Sequence, residues 1–155
     1  MTTPESKVFI SGNLEGLCCS EKNVLELIEL LIAAEPSLEN QLKSTHVNLT
    51  FITKNEIKEL NSKFLNKDQP TNVLSFPSAA LDFDERLLGD IAICPEIISN
   101  EADDQNKDRQ NHLFHIILHS LLHLAGYDHQ EKSSAELMES LEIKVLKKLG
   151  IANPY

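Results

Sequence analysis

One stretch of sequence organises the whole chain: His119-Ser120-Leu121-Leu122-His123-Leu124-Ala125-Gly126-Tyr127-Asp128-His129. On a helix, His119 and His123 project from the same face because they are four residues apart. Gly126 can adopt the left-handed conformation that ends a helix, which lets the chain turn and bring His129 to the same point. Three neutral imidazoles around one ion leave a fourth tetrahedral position open, as in catalytic zinc sites. The spacing therefore predicts one Zn²⁺ ion bound by these three histidines.

The same spacing matches the H-E-x-x-H-x-x-G-x-x-H frame of metzincin proteases, with one departure. Ser120 stands where those enzymes carry their general-base glutamate. Met138 is expected inside a C-terminal helix, where it cannot form the Met-turn of a metzincin. A simpler alternative is that the histidines line the helix for packing or solvation. That alternative suits a lone pair of histidines better than three histidines with a glycine turn.

Length and composition limit the classes of protein that the chain can belong to. Its 155 residues suit a single domain spanning 1–155. It has no apolar run long enough to span a membrane, and its first residues lack the basic start and apolar block of a secretory signal. Three cysteines, of which Cys18 and Cys19 are adjacent, do not suggest a disulfide framework. A cytoplasmic location is therefore expected.

The net charge of −10 argues against nonspecific binding to polyanions. The charge is uneven, however, and residues 43–75 carry five lysines against three acids. A polyanionic substrate would find most of its attraction in this segment. A solvated helix face explains the same lysines equally well on charge alone.

Hydrophobic periodicity places the secondary structure around this stretch. A capping box at Thr53 opens a helix with Ile57, Leu60 and Phe64 on its inner face. Pro77 suits a strand at a sheet edge, and Gly89 indicates a bulge or a close backbone approach. An acidic loop is expected over 81–86. The predicted strands lie near 7–10, 46–52, 71–76 and 87–94, and the predicted helices near 21–34, 54–65, 95–98, 108–125 and 137–149.

Three other histidines are candidates for weaker roles. His46 falls on the polar side of its strand, which predicts a surface position. His112 begins the metal helix and is expected to be exposed. His115 lies one turn before His119, either as a hydrogen-bond partner behind the metal ligands or as a packed neutral histidine. The packed alternative is favoured, because no partner for His115 is visible in the sequence.

Taken in order, three blocks resemble the YbeY family of bacterial metal-dependent endoribonucleases: Pro70-Thr71-Asn72-Val73-Leu74-Ser75-Phe76-Pro77, Leu88-Gly89-Asp90-Ile91, and His119 through His129. The resemblance implies an α+β domain with a small mixed sheet of about four strands flanked by helices. It implies zinc on His119, His123 and His129. It also implies a cytoplasmic role in maturing the 3′ end of 16S rRNA and in ribosome quality control. The implied partners are the 16S rRNA precursor and the small ribosomal subunit or its proteins.

The chain departs from the family pattern at two places. Ser120 stands where the family usually has Gly, a small change that a helix tolerates. Leu65-Asn66 stands where the family commonly has Arg-Gly, and that arginine is thought to matter for activity. Lys63 and Lys67 are the nearest cations that could contact phosphate in its place.

The predicted function is therefore zinc-dependent cleavage of single-stranded RNA. Zinc lowers the pKa of a bound water from 15.7 toward about 7, and a cation is needed to stabilise the charge that develops on phosphate. The nucleophile is either water or the RNA 2′-hydroxyl. Two alternatives stay open at this point: a zincin-like metallopeptidase, and a non-catalytic ribosome-assembly factor in which the metal only braces the fold.

Overall fold

The computed structural model of the protein describes residues 5–78 and 86–155, so most of the predicted acidic loop at 81–86 lies outside the described residues. Four strands form one sheet, and helices flank it. The strands are β1 (Lys7–Gly12), β2 (His46–Phe51), β3 (Val73–Pro77) and β4 (Leu87–Ile93). The helices are α1 (Glu21–Ala34), α2 (Glu39–Leu42), α3 (Lys54–Leu65), α4 (Pro95–Asp104), α5 (Arg109–Leu124) and α6 (Lys132–Lys148).

The sheet is mixed, with strand order β1-β2-β4-β3. Strands β1, β2 and β4 run parallel, whereas β3 pairs antiparallel with β4 at the edge. The predicted small mixed sheet in an α+β fold is thus confirmed, and Pro77 does end an edge strand. A proline suits this position because it cannot donate a hydrogen bond to a further strand.

Gly89 allows the backbones of β3 and β4 to approach each other closely. A Cβ atom at this position would lie 2.5 Å from the carbonyl oxygen of Phe76 and 2.7 Å from Cδ2 of Leu124. The strand register also shifts here, since His46 pairs with Leu87 but Val47 pairs with Gly89. The predicted bulge and close approach are both confirmed. The contact with Leu124 brings the last turn of α5 against the sheet.

Helix α5 carries much of the hydrophobic core. Asp108 caps its start, where the side chain accepts a hydrogen bond from the backbone N–H of Asn111 at 2.9 Å. The helix is apolar on most sides, and its fully buried apolar side chains are those of Leu113, Ile117, Leu118, Leu121 and Leu122. This confirms the prediction that the histidine-bearing helix is largely buried. A helix held on several sides gives the histidines a rigid support.

Three predictions about individual elements were wrong. Helix α4 continues to Asp104, well beyond the predicted end at residue 98. Because α4 packs against α5, His112 is buried at 6% exposure rather than exposed. Phe64, predicted to lie on the inner face of its helix, is exposed. None of the helices within 5–78 and 86–155 combines the length and apolar character needed to cross a membrane.

Candidate metal centre

The turn after α5 forms as the sequence predicts. Helix α5 ends at Leu124, and Gly126 follows with a φ angle of 101°, in the left-handed region that glycine adopts without a steric penalty. The N–H of Gly126 donates to the carbonyl of His123 at 3.0 Å, and the N–H of Tyr127 donates to the carbonyl of Leu122 at 3.0 Å. These bonds satisfy the last carbonyls of the helix and fix the direction of the exit.

This turn returns His129 to the face that carries His119 and His123. The Nε2 atoms of His119 and His123 are 3.0 Å apart. The ring centroid of His129 lies 5.5 Å from that of His119 and 5.0 Å from that of His123. One ring nitrogen from each of the three residues falls within 4.8 Å of the others. The structure therefore brings together the three residues that the spacing selects, in an arrangement that could hold a metal ion.

The hydrogen bonds of the two helical histidines indicate that the site suits a cation. Nδ1 of His119 lies 2.5 Å from a carboxylate oxygen of Glu142, and Nδ1 of His123 lies 3.1 Å from the carbonyl oxygen of Tyr127. Both oxygens only accept, so each Nδ1 carries the proton and each neutral Nε2 presents a lone pair. Two lone pairs 3.0 Å apart repel each other unless a cation lies between them. Two nitrogens on one tetrahedral zinc would be about 3.3–3.4 Å apart, so the geometry fits with little adjustment.

Burial and the neighbouring imidazoles favour the neutral form of His123. Burial lowers its pKa, and the adjacent imidazoles of His119 and His129 lower it further. A neutral imidazole is the form that binds metal. His123 is thus held in the protonation state that a ligand needs.

Behind the ligands lies Glu142, a glutamate on α6 with 0% exposure. One of its oxygens accepts from Nδ1 of His119, and the other accepts from the hydroxyl of Tyr155. Nε2 of His115 lies 3.6 Å from the first oxygen and 3.4 Å from the Tyr155 hydroxyl. Burial alone would raise the pKa of Glu142, but the contacts with His115, His119 and Tyr155 outweigh it and lower the pKa to about 2. The carboxylate is therefore ionised near neutral pH and orients His119.

Glu142 was not predicted from the sequence, although a signal was present. Glu142 lies in the middle of the apolar face of α6, four residues from both Met138 and Leu146. An acid inside such a face must have a partner, because an unpaired buried charge is costly. His115, which was assigned to packing, is one of the groups beside it, so its polar neighbourhood was also missed.

An open cleft of about 720 Å³ leads to the three histidines. Residues 72–77 form one wall, along β3 and the residue before it. Phe64 and Leu65, at the end of α3, line the cleft as well, and so does Tyr155. The three histidines could therefore hold a metal ion at a position that is accessible from the cleft, with room for a polymer segment.

The two lysines predicted to contact phosphate, Lys63 and Lys67, are not among the residues that line the cleft. Nζ of Lys63 lies 5.3 Å from the centroid of the Phe64 ring, which lines the cleft. Lys67 follows the helix, and its backbone N–H donates to the carbonyl of Asn61 at 3.2 Å. Asn66 has a φ angle of 56°, the left-handed conformation that glycine adopts most readily and asparagine tolerates. Asn66, which stands where the family pattern has glycine, therefore adopts a backbone conformation that glycine also favours.

Ser120 and Met138 do not provide the general base and the Met-turn that a metzincin peptidase requires. Ser120 is fully buried, and its hydroxyl donates to the carbonyl of Ile116 at 2.9 Å. It cannot act as a base toward a substrate in the cleft. Met138 lies within α6 rather than in a turn, as expected. These positions disfavour the peptidase alternative.

Buried His112 belongs to a second polar cluster at the other end of α5. Its Nε2 lies 3.1 Å from a carboxylate oxygen of Glu101 on α4. Glu101 also accepts from the side-chain amide of Asn72 at 3.1 Å. Burial would raise the pKa of Glu101, but the bonds with His112 and Asn72 outweigh it and lower the pKa. This cluster ties α4 and α5 to the strand that forms the cleft wall.

Comparisons with known proteins identify one family of similar proteins. The model of a family described as "Endoribonuclease YbeY" matches residues 13–150. A protein named Endoribonuclease YbeY from Francisella tularensis subsp. novicida (strain U112) is 46% identical over 122 residues, which are 76% of this chain and 75% of the relative. The protein of the same name from F. tularensis subsp. tularensis (strain SCHU S4 / Schu 4) is also 46% identical, over 76% of this chain and 73% of its own.

Among solved structures, the solution structure of TM1509 from Thermotoga maritima is similar to this chain. It aligns with a TM-score of 0.58 and 30% sequence identity. The alignment covers 92% of this chain and 91% of the Thermotoga chain. The similarity therefore extends over nearly the whole fold.

Proposed function

The chain belongs to the YbeY family of endoribonucleases, which makes it a hydrolytic nuclease, and from this premise we propose that it cleaves single-stranded RNA with one Zn²⁺ ion held by His119, His123 and His129. The observation that carries the proposal is the convergence of Nε2 lone pairs from two histidines whose other nitrogens are already engaged. Three imidazole nitrogens suit zinc among the divalent metals, and their number leaves a coordination position for substrate or water.

Each residue of the site has a distinct task in this proposal. Glu142 fixes the tautomer and orientation of His119, and the carbonyl of Tyr127 does the same for His123. His129, which is exposed, closes the ligand set from the loop. When bound, the ion supplies a Lewis acid for a phosphoryl oxygen and lowers the pKa of water toward about 7. No side-chain base is then needed, which agrees with the buried position of Ser120.

The phosphate of the substrate requires positive charge near the cleft. We assign Lys63 and Lys67 to this role, because they belong to the one positively charged segment of an otherwise acidic chain, residues 43–75. Lys63 adjoins Phe64, which lines the cleft, so its flexible side chain is well placed to reach a bound phosphate.

The substrate that we propose is the 16S rRNA precursor, cleaved in the cytoplasm during 3′-end maturation and ribosome quality control. The charge of the chain supports a protein partner in this task. At −10, the chain is a weak stand-alone binder of RNA. Association with the small ribosomal subunit or one of its proteins would supply the affinity that the chain lacks.

The substrate class is tested by incubating the zinc-loaded protein with single-stranded RNA and with an unstructured peptide, each with and without a chelator. We expect chelator-sensitive cleavage of the RNA and none of the peptide, because Ser120 stands where zincin peptidases carry their general base. Chelator-sensitive proteolysis without RNA cleavage would reverse the assignment. Ribosome association without either activity would favour the assembly-factor alternative.

A single substitution tests the role of the cleft rim. Leu65 lines the cleft and is 52% exposed, so an arginine there would reach the substrate without disturbing the core. Arginine offers a planar pair of donors that matches phosphate, whereas lysine offers a point charge. We expect Leu65→Arg to raise the single-turnover rate of RNA cleavage by ~10–100-fold, as one charge-assisted contact of about 1.5–3 kcal/mol would. Lys67→Ala should lower the cleavage rate of the parent, and it should lower the rate of the Leu65→Arg protein by a smaller factor.

The matched control is Leu137→Arg, since Leu137 is a similarly exposed leucine on α6. It adds the same charge to the protein and should leave the rate within about twofold, because a lone surface charge acts weakly at a distance. Equal zinc content should be verified in all variants. An unchanged rate in a folded, zinc-loaded Leu65→Arg protein would remove this rim position from catalysis.

A further inference from the structure

Phe64 is exposed where a buried residue is expected. It follows Leu60 by four residues on α3, so helical spacing predicts the inner face, yet 55% of the residue is exposed. Leaving a phenylalanine in water forgoes the favourable free energy that its burial would contribute. Leu65 beside it is exposed as well, and both line the cleft that leads to the histidines. Exposed apolar surface at the mouth of a functional cleft is typical of a binding site.

The ring of Phe64 is held in a defined orientation. It meets Phe76 on β3 with ring centroids 5.3 Å apart and an interplanar angle of 63°, an edge contact that aromatic pairs prefer. Phe76 itself packs against the small buried cluster around Ile57 and Leu74. Phe64 is thus a braced aromatic surface rather than a loose side chain.

The surroundings of Phe64 match a nucleotide in both shape and charge. A nucleotide joins an aromatic base to a phosphate anion, and here an exposed aromatic ring adjoins the ammonium of Lys63 at 5.3 Å from its centroid. Lys63 belongs to the positively charged segment 43–75. The cleft is continuous from Phe64 to His119 and His123, so a strand entering the metal centre would pass this ring. Unpaired bases are commonly bound by stacking on aromatic side chains.

We propose that Phe64 is a stacking platform for one base of single-stranded RNA at the mouth of the cleft, with Lys63 contacting the adjoining phosphate. This inference rests on the proposed function and adds a structural reason for single-strand selectivity. A base inside a duplex is stacked and paired, so its face cannot lie against Phe64. The platform would accept any base, since every base has an aromatic face.

The test measures equilibrium binding of two probes by fluorescence anisotropy, to both zinc-loaded and metal-free protein. One probe is single-stranded hexaadenylate, and the other is an abasic ribose-phosphate chain of equal length and charge. Phe64→Ala should weaken binding of hexaadenylate by about 5–100-fold, the range expected for one lost base–aromatic stack. It should leave the abasic probe unchanged. Phe64→Tyr should bind both probes as the parent does, because it keeps the ring.

Three further variants separate stacking from other effects. Phe9→Ala removes a phenylalanine of similar exposure, 52%, that packs on His46 away from the cleft, and should change neither probe. Lys63→Ala should weaken both probes equally and reduce the salt dependence of log K by about one charge. Lys58→Ala, which removes a lysine paired with Asp68 at 3.9 Å, should have a smaller effect on both.

The inference and the proposed function can fail separately. If the parent binds hexaadenylate through Phe64 but cleaves no RNA, the platform stands and the nuclease proposal fails. If the parent cleaves single-stranded RNA while a folded Phe64→Ala protein binds hexaadenylate as tightly as the parent, the platform is overturned. Equal loss of affinity for the abasic probe, or no binding of hexaadenylate by the parent, would overturn it as well.

Discussion

Replacing His123 by alanine will abolish tight zinc binding. Nε2 of His123 lies 3.0 Å from Nε2 of His119, and burial together with its neighbours lowers its pKa, which favours the neutral form that binds metal. Loss of a hydrogen-bond partner behind a ligand typically costs 10–100-fold in metal affinity, and loss of the ligand itself should cost more than ~100-fold. The measurement is competition for zinc against a chelator of known affinity, supported by the zinc content of the purified protein.

The control for this prediction is His46→Ala. His46 lies at the start of β2, with its ring 6.0 Å from that of Phe9, and it is not part of either histidine group that could hold a metal. Its replacement should leave zinc affinity at the parental value. Equal zinc binding by the parent and the His123→Ala protein would eliminate the site as described.

The second large effect is expected at Glu142. Replacing it by leucine removes the acceptor for Nδ1 of His119 and for the hydroxyl of Tyr155, and leaves both donors without this partner. His119 then loses the bond that fixes its tautomer, so zinc affinity should fall about 10–100-fold. Glu142→Gln should lower the zinc affinity by a smaller factor, because its amide oxygen can still accept from His119. Tyr155→Phe, which keeps the carboxylate, should have the smallest effect of the three.

Glu139→Gln is the matched control, since Glu139 also lies on α6 beside His119 but is only half-buried. It should not change zinc affinity. The lowered pKa of Glu142, about 2, also predicts how the stability of the parent protein depends on pH. A carboxylate with a depressed pKa contributes stability above its unfolded pKa, about 4.3, and loses that contribution as the pH falls toward 2. Parental zinc affinity in a folded Glu142→Leu protein would exclude a positioning role.

The metal ligands could be predicted because their signal is local. His119, His123, Gly126 and His129 lie within one helix end and one turn, where spacing alone determines which side chains meet. The capping box at Thr53 is local for the same reason. Strand β3 and the close approach at Gly89 were also predictable, from a proline and a glycine whose backbone requirements are specific.

The remaining features depend on tertiary packing, which one sequence does not specify. Glu142 lies 23 residues from His119, and the two meet because α6 packs against α5. His112 is buried because the acidic segment before it forms the end of α4 rather than a loop. Phe64 occupies a core-like position on its helix, but the cleft leaves it uncovered. Helical periodicity indicates which residues share a face, and not what covers that face.

The proposal that a zinc ion on three histidines cleaves RNA is tested most directly by a zinc titration of the metal-free protein. The quantity measured at each step is the single-turnover cleavage rate of single-stranded RNA. Three histidines that bind one ion predict no cleavage without metal, a linear rise with added zinc, and a plateau at one equivalent. The His123→Ala protein should show no rise over the same range. Cleavage by the metal-free parent at the zinc-loaded rate, or an equal rise in the His123→Ala protein, would contradict the account.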